Sequence, residues 1–158
     1  MLINRENLRA LTDKIHSEGK TVVTTNGCFD ILHVGHVKYL EKTKTFGDYL
    51  IVLLNSDKSV KSIKGPTRPI NNELDRAEVL SALRCVDYVV LFDEDSPRNL
   101  LDEMKPDVYT KGADYTMDTL PEADIMKKNG TRVEFIDFVE GKSTTNIINR
   151  VSHCEPEG

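Results

Sequence analysis

Short apolar runs recur along the chain, separated by stretches in which apolar positions fall three or four apart. The runs TVVTTN (21–26), YLIVLLN (49–55), DYVVLF (87–92), PDVYTKG (106–112) and RVEFIDF (132–138) are rich in β-branched and aromatic residues. They predict five strands, and the lack of strict polar alternation predicts that both faces of the sheet are covered. Leu8, Leu11 and Ile15 mark a first helix over about residues 5–18, stopped at Gly19. Val37, Tyr39, Leu40 and Phe46 suit a second, running from Gly35 to near Gly47. ELDRAEVLSAL (73–83) reads as a helix, as does SPRNLLDEMK, with Ser96 as N-cap and Pro97 at the first position. LPEADIMKKNG (120–130) and STTNIINRV (143–151) complete the set, while the lysine- and proline-containing stretch 59–72 reads as a mobile basic loop. Strand and helix alternate without repeat or linker, which predicts one α/β domain over 1–151 with a five-stranded, mostly parallel sheet between helical layers. SHCEPEG, from 152 to 158, is expected to fray.

Sheets of this kind bind ligands beyond the carboxyl ends of their strands. NGCFDILHVGH (26–36), NSD (55–57), KGADY (111–115) and EGKSTTNI (140–147) each follow an expected strand, so four polar clusters should meet on one rim. His33 and His36 are three apart at a helix entrance, which puts both rings on one side, and Gly35 between them lets another group pass close to the backbone. Two imidazoles facing one anion are phosphate donors. Helix capping alone is the bland alternative, and a zinc site using Cys28 with the two histidines lacks a recognisable fourth ligand. Gly141 followed by Ser143, Thr144 and Thr145 offers hydroxyls and free N–H groups at a helix start, a pattern shared by plain N-caps and anion sites. Lys44, Lys61, Lys64, Arg68, Arg76 and Lys111 are candidate phosphate cations, with Lys44 and Arg76 preferred. Asp30, Asp57 and Asp114 are candidates for a sugar hydroxyl, a base or hydrated Mg²⁺. Cys28 has no base partner in the motif, so packing suits it better than nucleophilic chemistry.

Composition narrows the class. With 21 Lys and Arg against 26 Asp and Glu the net charge is −5, which disfavours a nucleic-acid partner and requires positive charge to be concentrated locally for an anionic ligand. No apolar run reaches the roughly 18 residues of a membrane span and the N-terminus has no secretory pattern, so a cytoplasmic protein is expected. Three cysteines without paired spacing point to reduced thiols.

The motif Asn26-Gly-Cys-Phe-Asp30 followed by His33-Val-Gly-His36 resembles the HxGH signature of the nucleotidyltransferase superfamily, which includes the cytidylyltransferases. Within it, NGCFDILHVGHVKYL, GDYLIVLLNSD, KGPTRPIN, KGADY and EGKSTTNII resemble the heptose 1-phosphate adenylyltransferase domains of ADP-heptose synthases over about residues 20–151. The resemblance implies a Rossmann-like fold and attack of a sugar 1-phosphate on the α phosphate of ATP, with Mg²⁺ on the phosphates. It implies His33, His36, Lys44 and Arg76 as catalytic residues. Asn26, Gly27, Cys28, Phe29, Gly35, Lys111, Gly112, Ser143, Thr144 and Thr145 fall at nucleotide positions, and Asp30, Asp57 and Asp114 on the substrate side. A homodimer is implied too, with a separate heptose 7-phosphate kinase, because the kinase half of the bifunctional proteins is missing. Ala113 replaces a common glycine, and Lys142 a small or cysteine residue. Glycerol 3-phosphate cytidylyltransferases share the motifs but carry an arginine where this chain has Phe138, and a non-catalytic nucleotide-binding module is the alternative of another class.

Overall fold

The computed structural model describes residues 1–139 and 141–153. The strands are β1 (Leu2–Ile3), β2 (Val22–Gly27), β3 (Tyr49–Asn55), β4 (Tyr88–Phe92), β5 (Val108–Gly112) and β6 (Arg132–Ile136). The helices are α1 (Leu8–Ser17), α2 (Val34–Lys44), α3 (Asp57–Lys64), α4 (Glu73–Ser81), α5 (Arg98–Met104), α6 (Ala123–Asn129) and α7 (Thr144–Ser152), with a 3₁₀ turn at Arg5–Asn7. Every strand pair is parallel, in the order β1-β4-β3-β2-β5-β6. This is the Rossmann-like α/β fold expected, with one strand more than the five predicted. Leu2 and Ile3 pair with Val89 and Val90 at the sheet edge, and two residues are too few to leave a periodic signal.

The stretch 59–72, expected as a mobile basic loop, is helical in its first part, to Lys64. Ser56 caps α3 by accepting the Ser59 N–H, and Val60 is fully buried beneath it. One buried apolar residue among four lysine and serine neighbours gives no visible stripe, so only 65–72 remains a loop. Of the tail expected to fray, Ser152 ends α7, and residues 154–158 lie outside the described residues.

β3 shows why continuous apolar runs mark central strands. Ile51 and Leu53 face the layer of α1, α5 and α6, while Leu50, Val52 and Leu54 face α2 and α4, and all five are fully buried. The connections run outward from β2 to β3 and β4 on one side and occupy β5 and β6 on the other, so the order reverses beside β2. There a crevice opens at the carboxyl ends.

A hydroxyl cluster fixes α2 over this crevice. Thr25 Oγ1 of β2 lies 2.9 Å from Tyr39 Oη and donates to the Thr110 carbonyl of β5 at 3.0 Å. Thr110 Oγ1 is in turn 3.0 Å from Thr43 Oγ1 and 3.2 Å from Tyr39 Oη. Four buried hydroxyl groups thus satisfy one another where an apolar interface would leave α2 free to slide. Thr110→Val removes two of these contacts and is expected to lower the unfolding free energy by about 1–2 kcal/mol in urea titration. An unchanged midpoint would show that the cluster does not hold the helix.

Candidate active site

The turn between β2 and α2 is strained. Phe29 and Ile31 both take φ of 45°, a left-handed conformation unfavourable for residues with a Cβ and more so for a β-branched one. Asp30 between them holds the turn. Its carboxylate, 2% exposed, accepts the backbone N–H groups of Ile70 at 2.6 Å and Asn71 at 3.0 Å. Its carbonyl accepts from Thr144 Oγ1 at 2.7 Å. One residue therefore ties the histidine motif to the 65–72 loop and to the start of α7.

His33 and His36 cap α2 and remain available to a ligand. His33 Nδ1 accepts the Gly35 N–H at 3.1 Å, and His36 Nδ1 accepts the His33 N–H at 3.3 Å. A neutral imidazole that accepts at Nδ1 carries its hydrogen on Nε2, so each ring retains one donor. The ring centroids are 3.9 Å apart. Burial, then the neighbouring His33, lowers the His36 pKa to about 4; burial, then Lys142, lowers that of His33. At neutral pH His36 is thus a neutral donor. Gly35 is required, because a Cβ there would lie 2.7 Å from the His33 ring.

Both rings line a cavity of about 700 Å³ that spans the rim. Asn26, Gly27, Cys28, Phe29 and Asp30 form its floor from the end of β2, and Lys111, Gly112 and Asp114 its wall from the end of β5. Asn26 Oδ1 accepts from Tyr109 Oη at 2.5 Å. Ser143, Thr144 and Thr145 enter at the amino end of α7, where Ser143 Oγ accepts the Asn146 N–H at 3.0 Å. The positive end of that helix faces the cavity. Lys64, Arg68 and Lys142 line it too, and the Arg68 guanidinium forms an ion pair with Asp30 at 3.5 Å. Burial raises the Cys28 pKa, so its thiol stays protonated.

A family model described as cytidylyltransferase-like matches residues 24–150. The chain belongs to that family. It is 54% identical over 147 residues to the bifunctional protein HldE of Syntrophotalea carbinolica, covering 93% of this chain and 30% of that protein. The HldE of Geobacter metallireducens is 50% identical over 148 residues, covering 94% of this chain and again 30% of the relative. The chain therefore spans about a third of the length of these curated relatives. A lipopolysaccharide core biosynthesis protein from Thermoplasma volcanium GSS1 superposes with a TM-score of 0.62 at 33% identity, covering 78% of this chain and all of that one. The chain is thus a nucleotidyltransferase-like domain.

Three residues expected at the site of this cytidylyltransferase-like domain lie elsewhere. Lys44 is the eleventh and last residue of α2, and its Nζ donates to Asp87 Oδ2 at 2.5 Å and the Asp48 carbonyl at 2.7 Å. Asp48 and Asp87 precede β3 and β4, so this lysine braces the amino end of the sheet, opposite the cavity. Arg76 is 2% exposed, with its donors committed to the carbonyls of Asn71, Cys28 and Asn55 and to Asp57 Oδ1. It stitches the carboxyl ends of β2 and β3 together from below the rim. Asp57, its partner at 2.9 Å, caps this arrangement and does not line the cavity. The cations that do line it are Lys64, Arg68, Lys111 and Lys142. Arg68 and Lys64 stood among the sequence candidates, but the basic loop around them offered no way to tell inward from outward side chains.

The capping geometry has a pH consequence. Between about pH 4 and 6.5 the unfolded chain protonates His36 while the folded chain keeps it neutral, so the unfolded state binds more protons there. The stabilisation is complete above 6.5 and is lost as pH falls toward 4. Chemical denaturation from pH 7 to 4 should show a falling unfolding free energy, with a shallower slope in His36→Gln. Equal slopes in the two proteins would contradict the neutral cap.

Proposed function

We propose that this domain transfers the adenylyl group of ATP to D-glycero-β-D-manno-heptose 1-phosphate, releasing pyrophosphate and ADP-heptose. The observation that carries this reading is the convergence of two Nε2–H imidazoles, a helix amino end and four cations on one cavity of a net-acidic protein. The choice of sugar is supported by identity of about half to the HldE proteins over nearly the whole chain and by the KGADY and EGKSTTNII segments.

A phosphate oxygen of the sugar phosphate attacks the α phosphorus, the bond from that phosphorus to the bridging oxygen breaks, and pyrophosphate leaves with the electron pair. No protein nucleophile is used. His33 and His36 donate to the oxygens on which charge grows, and donors fixed in place beforehand cost no reorganisation during reaction. The amino end of α7 and Lys142 hold the outer phosphates, and Lys64 and Arg68 neutralise the incoming one. Mg²⁺ bound with the nucleotide would supply further neutralisation of the leaving group, and Asp114 and Asp137 on the cavity wall would hold its hydration shell.

The test is pyrophosphate release with ATP, CTP or GTP, each crossed with the heptose phosphate and with glycerol 3-phosphate. Turnover confined to ATP and the heptose phosphate is expected, whereas turnover with CTP and glycerol 3-phosphate would replace the substrates. His36→Ala should keep the fold and lower kcat by about 10²–10³. An unchanged kcat would remove His36 from the chemistry.

A further inference from the structure

The cavity is charged unequally from end to end. His33, His36 and α7 approach from the face covered by α2, whereas the opposite end is built by the segments after β4 and β5 and before α6. There Ser96 Oγ donates to Glu122 Oε1 at 2.8 Å. Glu122 lines the cavity yet is only 4% exposed, and its Oε2 has no hydrogen-bond partner among the described residues. A buried carboxylate oxygen without a donor costs several times an ordinary hydrogen bond, so its position calls for one. Lys111 does not supply it, for its ammonium lies 5.0 Å over the Tyr115 ring. Asp95, next to Ser96 in the chain, adds a second carboxylate to this end.

Lys111 offsets one of these two carboxylates, so this end keeps a net negative charge, which disfavours phosphates and accepts from neutral donors. Phe138 and Val139, 64% and 37% exposed, lie in the chain just before the α7 anion site and give a flat base an apolar surface beside its own phosphates. The acid end is left to the other reactant. We infer that Glu122 Oε2 accepts a hydrogen bond from a hydroxyl of the acceptor's polyol chain or ring, making Glu122 a specificity residue for hydroxyl-rich phosphate esters. The terminal torsion of a glutamate is soft, so a small rotation turns the sheltered oxygen toward an arriving hydroxyl. Ser96 donates to the other oxygen and keeps that rotation small. A short, hydroxyl-poor ester leaves Oε2 unpaired and is rejected on that account.

The inference rests on the adenylyl-transfer reading above. Its test compares the wild type with Glu122→Gln, which keeps the shape and replaces a carboxylate oxygen by an amide. KM for the sugar phosphate should rise about tenfold to a hundredfold, with KM for the nucleotide within about twofold. A rise in the nucleotide KM alone would place the base there and overturn the inference, as would two unchanged KM values. Absence of turnover by the wild type with every pairing would instead overturn the functional reading. If the variant does not fold, a crystal structure of the wild type with the sugar phosphate decides the matter. A substrate hydroxyl within hydrogen-bond distance of Glu122 Oε2 supports the inference, and a hydroxyl-free surrounding overturns it.

Discussion

The site depends on the carboxylate of Asp30. It is buried, its oxygens take the N–H groups of Ile70 and Asn71, and its carbonyl takes the Thr144 hydroxyl. Three segments far apart in the chain, the histidine turn, the loop 65–72 and the start of α7, are thereby fixed relative to one another. Left-handed conformations at Phe29 and Ile31 cost roughly 1–3 kcal/mol each, and the charge-assisted bonds of Asp30 offset that strain. Removal of the carboxylate would release the turn and strand two backbone donors at once. A residue that looked from the sequence like a ligand for substrate thus acts first as the keystone of the pocket.

The two histidines show how a structural and a chemical role fit in one ring. Each Nδ1 satisfies a backbone donor at the start of α2, and this same bond fixes the hydrogen on Nε2. Capping and a donor left free for an anion, alternatives when read from sequence, follow from one geometry. Burial keeps His36 neutral, so the ring serves as an oriented dipole in a site whose net charge comes from Lys64, Arg68, Lys111 and Lys142. Lys111 itself is lowered in pKa by burial, with Glu122 foremost among the charges opposing that shift.

The parallel sheet was legible because β3 is apolar without interruption from Tyr49 to Leu54 and β2 is β-branched from Val22 to Thr25, a pattern that suits strands covered on both faces. β1 escaped notice because it is two residues long and gains its partners from an edge, and α3 because its buried surface is little more than Val60 and Ser59. The rim clusters were legible by the rule that α/β ligands bind at strand ends. Side-chain direction was not. Lys44 lies on the motif's own helix, yet α2 is about 16 Å long and carries its last residues to the far end of the sheet. Arg76 sits near the crevice, but its guanidinium turns inward to unsatisfied carbonyls at the ends of β2 and β3, a demand that exists only once those strands are adjacent. The Thr25, Tyr39, Thr43 and Thr110 cluster is silent in sequence for the same reason.

In the proposed reaction the protein positions and stabilises, with no side chain bonding to the transferred group; even Cys28, on the cavity floor, has its thiol held protonated by burial. The most direct measurement is the stereochemical course at the α phosphorus, followed with ATP made chiral there by sulfur and oxygen isotopes. A single in-line displacement predicts inversion of configuration. Retention would mean that a protein group is adenylylated on the way, and would contradict the account.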